Sequence, residues 1–151
     1  AEERAEESVE KPAEGPTDQG PFSGRSVLLA EDERLNAMAV ARWLEQLGCR
    51  VRVVHNGRQA LEALREDAFD AVLMDIQMPV MDGMTATAAI RVGEAGPDAA
   101  GVPIVALTAY AMHGDRQRSL DAGMDEYVTK PVDLEHLREL LLGLLHAPAE
   151  G

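Results

Sequence analysis

Charged and hydroxyl side chains stand at the ends of short strand-like runs in this 151-residue chain. The first run is followed by Glu31 and Asp32, a later one by Asp75, and two more by Thr108 and Lys130. Short apolar runs of this kind are typical of strands buried on both faces, and the carboxyl ends of parallel strands meet at one edge of a sheet. We therefore expect three carboxylates, a hydroxyl and an ammonium to converge there.

Such a cluster predicts a metal site. Three carboxylates held close together repel, and each raises the pKa of the others unless a cation joins them. Mg²⁺ is the cation expected, with Mn²⁺ as the alternative, because Mg²⁺ prefers carboxylate oxygens and keeps several waters. Those open positions leave room for a phosphoryl group, which Lys130 and Thr108 could also contact.

The lysine is unusual within its own domain. The chain after residue 24 contains eleven arginines but only one lysine, Lys130, which is followed by Pro131. An ammonium is a compact charge, whereas a guanidinium is a wide planar fork. A lysine kept at a strand end in an arginine-rich chain therefore indicates a functional group rather than chance.

The elements that must position these residues alternate along the chain from Arg25 onwards. Gly48 and Gly123 are expected to end helices, and Asp133 is expected to cap the last one. That helix should turn Leu134, Leu137, Leu141 and Leu144 inward. Strands are predicted at 26–30, 50–54, 71–74, 103–107 and 126–129, and helices at about 33–47, 57–67, 83–92, 112–122 and 133–146. Five strands, each followed by a helix, predict an α/β fold with a doubly wound parallel sheet.

The first 24 residues differ from the rest in composition. They hold seven acids, two bases, three prolines and three glycines, with almost no large apolar residue. A segment like this cannot bury enough surface to offset its ordering entropy. We expect a flexible acidic linker at 1–24, one domain at 25–146 and a short tail at 147–151.

Composition also excludes some classes of function. The net charge of −13 argues against direct nucleic-acid binding, because phosphates would be repelled. The single cysteine, Cys49, cannot form an internal disulfide, which favours a reducing compartment such as the cytoplasm. Neither a membrane span nor a signal peptide is visible in the sequence, so no membrane contact is expected of this segment.

The chain from about Arg25 to His146 resembles the receiver domain of two-component response regulators. The resemblance covers about four-fifths of the sequence, with its motifs in the family's order. The matching stretches are Leu28–Asp32, Met74–Pro79 followed by Asp82 and Gly83, Ala106–Ala109, and Asp121–Pro131. It implies a flavodoxin-like (βα)5 fold with strand order 2-1-3-4-5.

The resemblance also implies a role for each motif position. Asp75 would accept a phosphoryl group from a phosphohistidine, and Lys130 would pair with that group. Thr108 would hydrogen-bond to it on activation while Tyr127 swings inward. The Lys130–Pro131 peptide bond would be cis. Mg²⁺ would be bound by Asp32, Asp75 and the backbone carbonyl of Gln77, with Glu31 acting partly through water.

Within the family, the motifs around Glu31–Asn36 and Thr108–Asp115 are most similar to the receivers of hybrid sensor histidine kinases. An acidic N-terminal segment that begins with Ala1 instead of Met suits the C-terminal receiver of a longer kinase, which could itself be membrane-anchored. A stand-alone response regulator is the alternative. The implied partner is a histidine kinase or a histidine phosphotransfer domain, and the oligomeric state stays open.

Two rival functions fit the sequence less well than a receiver. A phosphatase that forms an aspartyl phosphate usually needs a second acid two residues after the nucleophile, where this chain has Gln77. A flavin-binding domain of similar topology would need a phosphate-binding loop after the first strand, where Glu31 and Asp32 would repel the phosphate. A receiver promotes its own phosphorylation and dephosphorylation, so whether the chain counts as an enzyme is left open.

Overall fold

The structure is a computed structural model and describes residues 20–109 and 115–145. Its five strands are short and lie within one residue of their predicted bounds. Most of the predicted linker, the first residues of the predicted fourth helix and the C-terminal tail lie outside the described residues. The strands are β1 (Ser26–Ala30), β2 (Arg50–Val54), β3 (Ala71–Asp75), β4 (Ile104–Thr108) and β5 (Glu126–Thr129).

A helix follows each strand, and a short 3₁₀ helix, Pro97–Ala99, precedes β4. Four of these helices begin directly after a capping side chain, from Glu33, Asn56, Asp82 or Asp133. Asp82 accepts a hydrogen bond from the backbone N–H of Thr85 at 2.7 Å, and Asp133 caps the last helix as predicted. The helices are α1 (Arg34–Gln46), α2 (Gly57–Glu66), α3 (Gly83–Arg91), α4 (Asp115–Asp121) and α5 (Leu134–Leu145).

The strands form one parallel sheet in the order β2-β1-β3-β4-β5. In this register Ala30 pairs with Met74, Asp75 with Leu107, and Thr108 with Thr129. The carboxyl ends of β1, β3, β4 and β5 are therefore level with one another. The predicted fold class and strand order are confirmed.

Each face of the sheet carries its own buried core, because successive side chains along a strand point to opposite faces. The helices α2 and α3 contribute to one core, and α1 and α5 to the other. The first core includes Leu28, Val72, Ile104, Ala60, Leu64 and Ile90, and the second includes Val27, Leu73, Val105, Leu44, Leu137 and Leu141.

The domain boundary needs one correction, at Phe22. Phe22 lies in the segment whose composition predicts a linker, yet its side chain is fully buried against the α1 and α5 core. Its backbone N–H donates to the carbonyl of Leu47 at 2.9 Å. Gly48, with φ of 103°, ends α1 as predicted, and a Cβ there would collide with the backbone of Ser23. A lone phenylalanine in an acidic segment was overlooked because composition averages over the segment.

The inner row of α5 is also displaced from its prediction. Leu137 and Leu141 are buried as expected, but Leu134 is 38% exposed and Leu144 is only half-buried. Leu145 is buried instead. The buried row therefore follows a spacing of four residues, which is one of the two spacings that share a helix face.

Candidate functional site

The ends of β1, β3 and β5 bring two carboxylates and one ammonium into direct contact. The Lys130 Nζ lies 2.8 Å from Glu31 Oε1 and 3.0 Å from Asp75 Oδ2. Glu31 is 2% exposed and Asp75 is 3% exposed. Burial removes most of the water that would screen these charges, so the ammonium is the main compensation for two buried carboxylates.

Asp32 completes an acidic cluster with the two buried acids. One carboxylate oxygen from each of Glu31, Asp32 and Asp75 lies within 4.8 Å of the others, and Asp32 is exposed to solvent. The three carboxylates and the Lys130 ammonium together carry a formal charge of −2. An all-oxygen donor set with this charge and one open side fits a hard divalent cation such as Mg²⁺.

The electrostatics of Asp75 follow from its surroundings. Burial raises the pKa of this carboxyl from 3.8 to about 6, and the negative charge of Glu31 adds to the rise. The hydrogen bond and positive charge of Lys130 act in the opposite direction. Asp75 is therefore ionised at neutral pH, although ionisation is less favourable than in water.

The same contacts determine the pKa of the Lys130 ammonium. Burial alone would lower the pKa of its ammonium, but hydrogen bonds and attraction to Glu31 and Asp75 outweigh this, so its pKa is raised. The ammonium is therefore held as a fixed positive charge at neutral pH. The Lys130–Pro131 peptide bond is cis, as the resemblance implied.

Backbone groups orient the two buried acids. The N–H of Gln77 donates to Asp75 Oδ1 at 3.1 Å, and the N–H of Glu33 donates to Glu31 Oε2 at 3.0 Å. The side chain of Gln77 is exposed. The His55 Nδ1 lies 3.0 Å from the backbone carbonyl of Glu31. No sequence pattern links His55 to the site.

Thr108 and Tyr127 lie next to the cluster on β4 and β5. Thr108 is buried and follows Leu107, the register partner of Asp75. Its carbonyl accepts a hydrogen bond from the N–H of Lys130 at 2.6 Å. Tyr127 is half-buried and packs against the core on the α2 and α3 side. All seven residues predicted for the site therefore lie at this edge or on the strands leading to it.

The turn after β3 brings the chain sharply back over the site. Gly83 donates its N–H to the carbonyl of Ile76 at 2.9 Å, and a Cβ at residue 83 would collide with the backbone oxygen of Asp75. Before it, Val80 has φ of 70°, and the N–H of Met81 donates to the carbonyl of Pro79 at 2.7 Å. This is a γ-turn, which is strained for a β-branched residue.

Comparison with known proteins identifies the family. The profile of the response regulator receiver domain matches residues 27–142. The chain is 44% identical over 124 residues to sensor protein GacS of Pseudomonas syringae pv. syringae, covering 81% of this chain and 14% of GacS. It is 38% identical over 117 residues to signal transduction histidine-protein kinase BarA of Escherichia coli (strain K12), covering 78% of this chain and 12% of BarA. The chain thus spans only a small part of the length of these relatives.

Solved structures agree with the sequence matches. The receiver domain of sensor histidine kinase PA1611 from Pseudomonas aeruginosa PAO1, which has a magnesium ion coordinated in its active-site cleft, matches with a TM-score of 0.75 and 38% identity, covering 83% of this chain and 100% of that domain. A second match, with a TM-score of 0.75 and 30% identity, comes from the co-crystal structure of the Saccharomyces cerevisiae histidine phosphotransfer protein Ypd1 with the receiver domain of its downstream response regulator Ssk1. It covers 83% of this chain and 91% of the matched chain. The chain belongs to the response regulator receiver domain family of two-component systems, and its relatives include receivers of hybrid sensor histidine kinases.

Proposed function

We propose that this receiver accepts a phosphoryl group at Asp75 from a phosphohistidine in a reaction that requires Mg²⁺. The observation that carries the proposal is the Lys130 ammonium, 3.0 Å from Asp75 within an edge that also gathers three carboxylates. Phosphoryl transfer depends mainly on positioning and on neutralising charge, with little covalent help from the protein. A buried carboxylate beside a fixed ammonium supplies both the positioning and the neutralising charge.

In the proposed step, an Asp75 carboxylate oxygen forms a bond to phosphorus while the P–N bond to the donor imidazole breaks. The electron pair of that bond stays on the imidazole nitrogen, and Asp75 becomes an aspartyl phosphate. The ionised carboxylate is the reactive form, so a pKa of about 6 leaves it ready at neutral pH. The Lys130 ammonium offsets the negative charge that the phosphoryl oxygens bring into a buried site.

Asp32, Asp75 and the backbone carbonyl of Gln77 would hold the Mg²⁺ ion. Glu31 would act partly through water, because its Oε1 already binds Lys130 at 2.8 Å. When bound, the ion supplies Lewis-acid stabilisation of the phosphoryl oxygens. The magnesium ion in the cleft of the PA1611 receiver supports this assignment. Mn²⁺ prefers similar oxygen ligands and should substitute for Mg²⁺.

We further propose that Thr108 and Tyr127 convert phosphorylation into a change of surface. The Thr108 hydroxyl would hydrogen-bond to the phosphoryl group, and Tyr127 would move inward into the space that the threonine leaves. The position of Thr108, one residue beyond the register partner of Asp75, supports the first contact. The half-buried ring of Tyr127, three residues before Lys130, suits a side chain that changes its packing. Such a local change in charge biases a two-state surface for a partner.

Receiver domains pair with histidine kinases or histidine phosphotransfer proteins, as the Ypd1 and Ssk1 complex illustrates. We propose that the donor here is a phosphohistidine of one of these two classes, and that the chain is the receiver part of a hybrid sensor histidine kinase. Its similarity to GacS and BarA supports the hybrid origin. None of the helices within residues 20–109 and 115–145 combines the length and hydropathy of a membrane span. The buried, unpaired Cys49 suits a reducing compartment, which favours the cytoplasm.

The direct test is incubation with a small phosphodonor and Mg²⁺, followed by intact-mass measurement. Wild-type protein should gain one phosphoryl group, and the gain should disappear in Asp75→Asn and in the presence of EDTA. Asp98→Asn is the matched control, because Asp98 is an exposed carboxylate on the 3₁₀ helix before β4. This control should be phosphorylated like the wild type.

Two results would contradict the proposal. Phosphorylation of Asp75→Asn at the wild-type rate would place the acceptor elsewhere. Failure of the wild type to gain a phosphoryl group from any small donor, and from phosphorylated histidine phosphotransfer domains, would leave a domain that only docks.

A further inference from the structure

Two hydrogen bonds between Asp125 and Ile104 join β4 and β5 where these strands begin, at the opposite edge of the sheet from the acidic cluster. Asp125, the residue before β5, donates its backbone N–H to the carbonyl of Ile104 at 2.8 Å. Its carboxylate Oδ2 accepts the N–H of the same Ile104 at 2.8 Å. Both polar groups of the first β4 residue are thus taken by one aspartate, and the two strands are locked together where β5 begins.

Arg91, the last residue of α3, holds the carboxylate of Asp125 in place. Its Nη2 donates to Asp125 Oδ2 at 2.9 Å. The rest of the guanidinium is engaged by backbone carbonyls, since Nε donates to Gly123 at 2.8 Å and Nη1 donates to Ala100 and Val102 at 2.8 and 2.7 Å. A Cβ at residue 123 would collide with the Arg91 side chain. Three backbone carbonyls therefore hold the Arg91 guanidinium in place independently of its hydrogen bond to Asp125.

The same arrangement recurs between β1 and β3. Asp70, the residue before β3, donates its N–H to the carbonyl of Ser26 at 2.8 Å, and its Oδ2 accepts the N–H of Ser26 at 2.8 Å. An arginine is again present, with Arg25 Nη1 at 3.6 Å from Asp70 Oδ1. Asp70 precedes Asp75 by five residues, and Asp125 precedes Lys130 by five residues. The strands that lead to Asp75 and Lys130, β3 and β5, are therefore each preceded by an aspartate of this kind.

We propose that Asp125, held by Arg91, is a positioning residue that fixes the register of β5 and thereby places the Lys130 ammonium. The inference rests on the proposed function of Asp75 and Lys130 and extends it to the opposite edge of the sheet. Asp125 and Lys130 lie five residue steps apart, on either side of the four residues of β5, which is about 16 Å at the usual rise per residue. Asp125 therefore acts through β5 and does not touch the reacting atoms.

The register of β5 needs such a device more than that of β3. β5 has four residues and bonds to one neighbour, β4, whereas β3 is paired on both sides. A slip of one residue turns every side chain of a strand to the other face. A slip of two residues would move Lys130 by about 6.6 Å, far outside ion-pair distance of Glu31 and Asp75. The bond from the Lys130 N–H to Thr108 holds the other end of the strand.

Asp125→Ala and Asp70→Ala form a matched pair of variants, because each removes the same carboxylate contact at the same edge. In the 151-residue chain, with a small phosphodonor and saturating Mg²⁺, Asp125→Ala should slow phosphoryl uptake per folded molecule by about tenfold or more, since small misplacements of reacting groups are costly. Asp70→Ala should stay within about twofold of wild type, because β3 keeps both of its ladders. Asp125→Asn should also stay within about twofold, because its amide oxygen can still accept the Ile104 N–H.

Amide hydrogen exchange supplies a readout that does not depend on phosphoryl transfer. Exchange in β5 should quicken in Asp125→Ala by more than exchange in β3, whereas Asp70→Ala should not affect β5 selectively. If Asp125→Ala does not fold, Arg91→Ala replaces it, with a smaller expected loss of uptake of about threefold because Asp125 itself remains.

The proposal is overturned if the two alanine variants lose uptake in proportion to their lost stability, with no excess for Asp125. It is also overturned if β5 exchange in Asp125→Ala matches that in Asp70→Ala. If wild-type protein accepts no phosphoryl group, the proposed function fails, and hydrogen exchange alone then decides whether Asp125 fixes β5.

Discussion

Replacing Asp75 by asparagine tests the electrostatic account of the site directly. The side chain of Asp75 is 4% exposed, and burial, with the charge of Glu31, raises its pKa from 3.8 to about 6 despite the opposing contact with Lys130. A difference of about two pH units between the unfolded and folded pKa corresponds to about 3 kcal/mol of stability at pH values above both.

The direction of the pKa shift decides how the free energy of unfolding changes with pH. The folded pKa of Asp75 lies above the unfolded value, so the folded protein binds this proton more tightly. The resulting stabilisation is fully present below pH 3.8 and is lost as the pH rises through about 6. An asparagine stays neutral throughout. Asp75→Asn should therefore exceed the wild type in free energy of unfolding by about half a kcal/mol at pH 4 and by about 3 kcal/mol at pH 8.

Urea denaturation of both proteins at pH 4 and pH 8 measures this difference. EDTA is present throughout, because a bound cation would offset the repulsion between the wild-type carboxylates. Asp98→Asn, which neutralises an exposed carboxylate, serves as the control and should show no comparable gain at pH 8. If Asp75→Asn were no more stable than the wild type at pH 8, or if its advantage were the same at both pH values, the reasoning from burial and charge would be refuted.

Three further substitutions or reactions test other features of the fold. Thr87 is fully buried, and its hydroxyl has no hydrogen-bond partner among the described residues, so Thr87→Val should raise the free energy of unfolding in urea by about 1 kcal/mol. Val80→Gly should raise it by a similar amount, about 1 kcal/mol, because glycine relieves the positive φ of the γ-turn. Burial, and to a smaller extent the charge of Asp70, raises the pKa of the Cys49 thiol to about 11. Iodoacetamide at pH 8 should therefore alkylate native protein about a hundredfold more slowly than protein in urea, measured by mass spectrometry.

Much of the fold could be predicted from local patterns. Short apolar runs indicated the buried strands, because a parallel sheet covered by helices on both faces requires apolar side chains in both directions. Capping residues and glycines indicated where helices begin and end, as at Asp133 and Gly48. The predictions differed from the structure where a single residue departs from its segment, as Phe22 does, or where two faces of a helix are similarly apolar, as in α5.

The sequence by itself determined which residues reach the active edge, because the carboxyl ends of parallel strands share that edge whatever the details of packing. Only the tertiary structure decided how those residues contact one another. It placed Lys130 between Glu31 and Asp75 and buried both acids, and this burial raises the pKa of Asp75. It also paired Asp125 with Ile104 across 21 residues of sequence. Such contacts depend on strand register and on distances between strands, and no local periodicity encodes either.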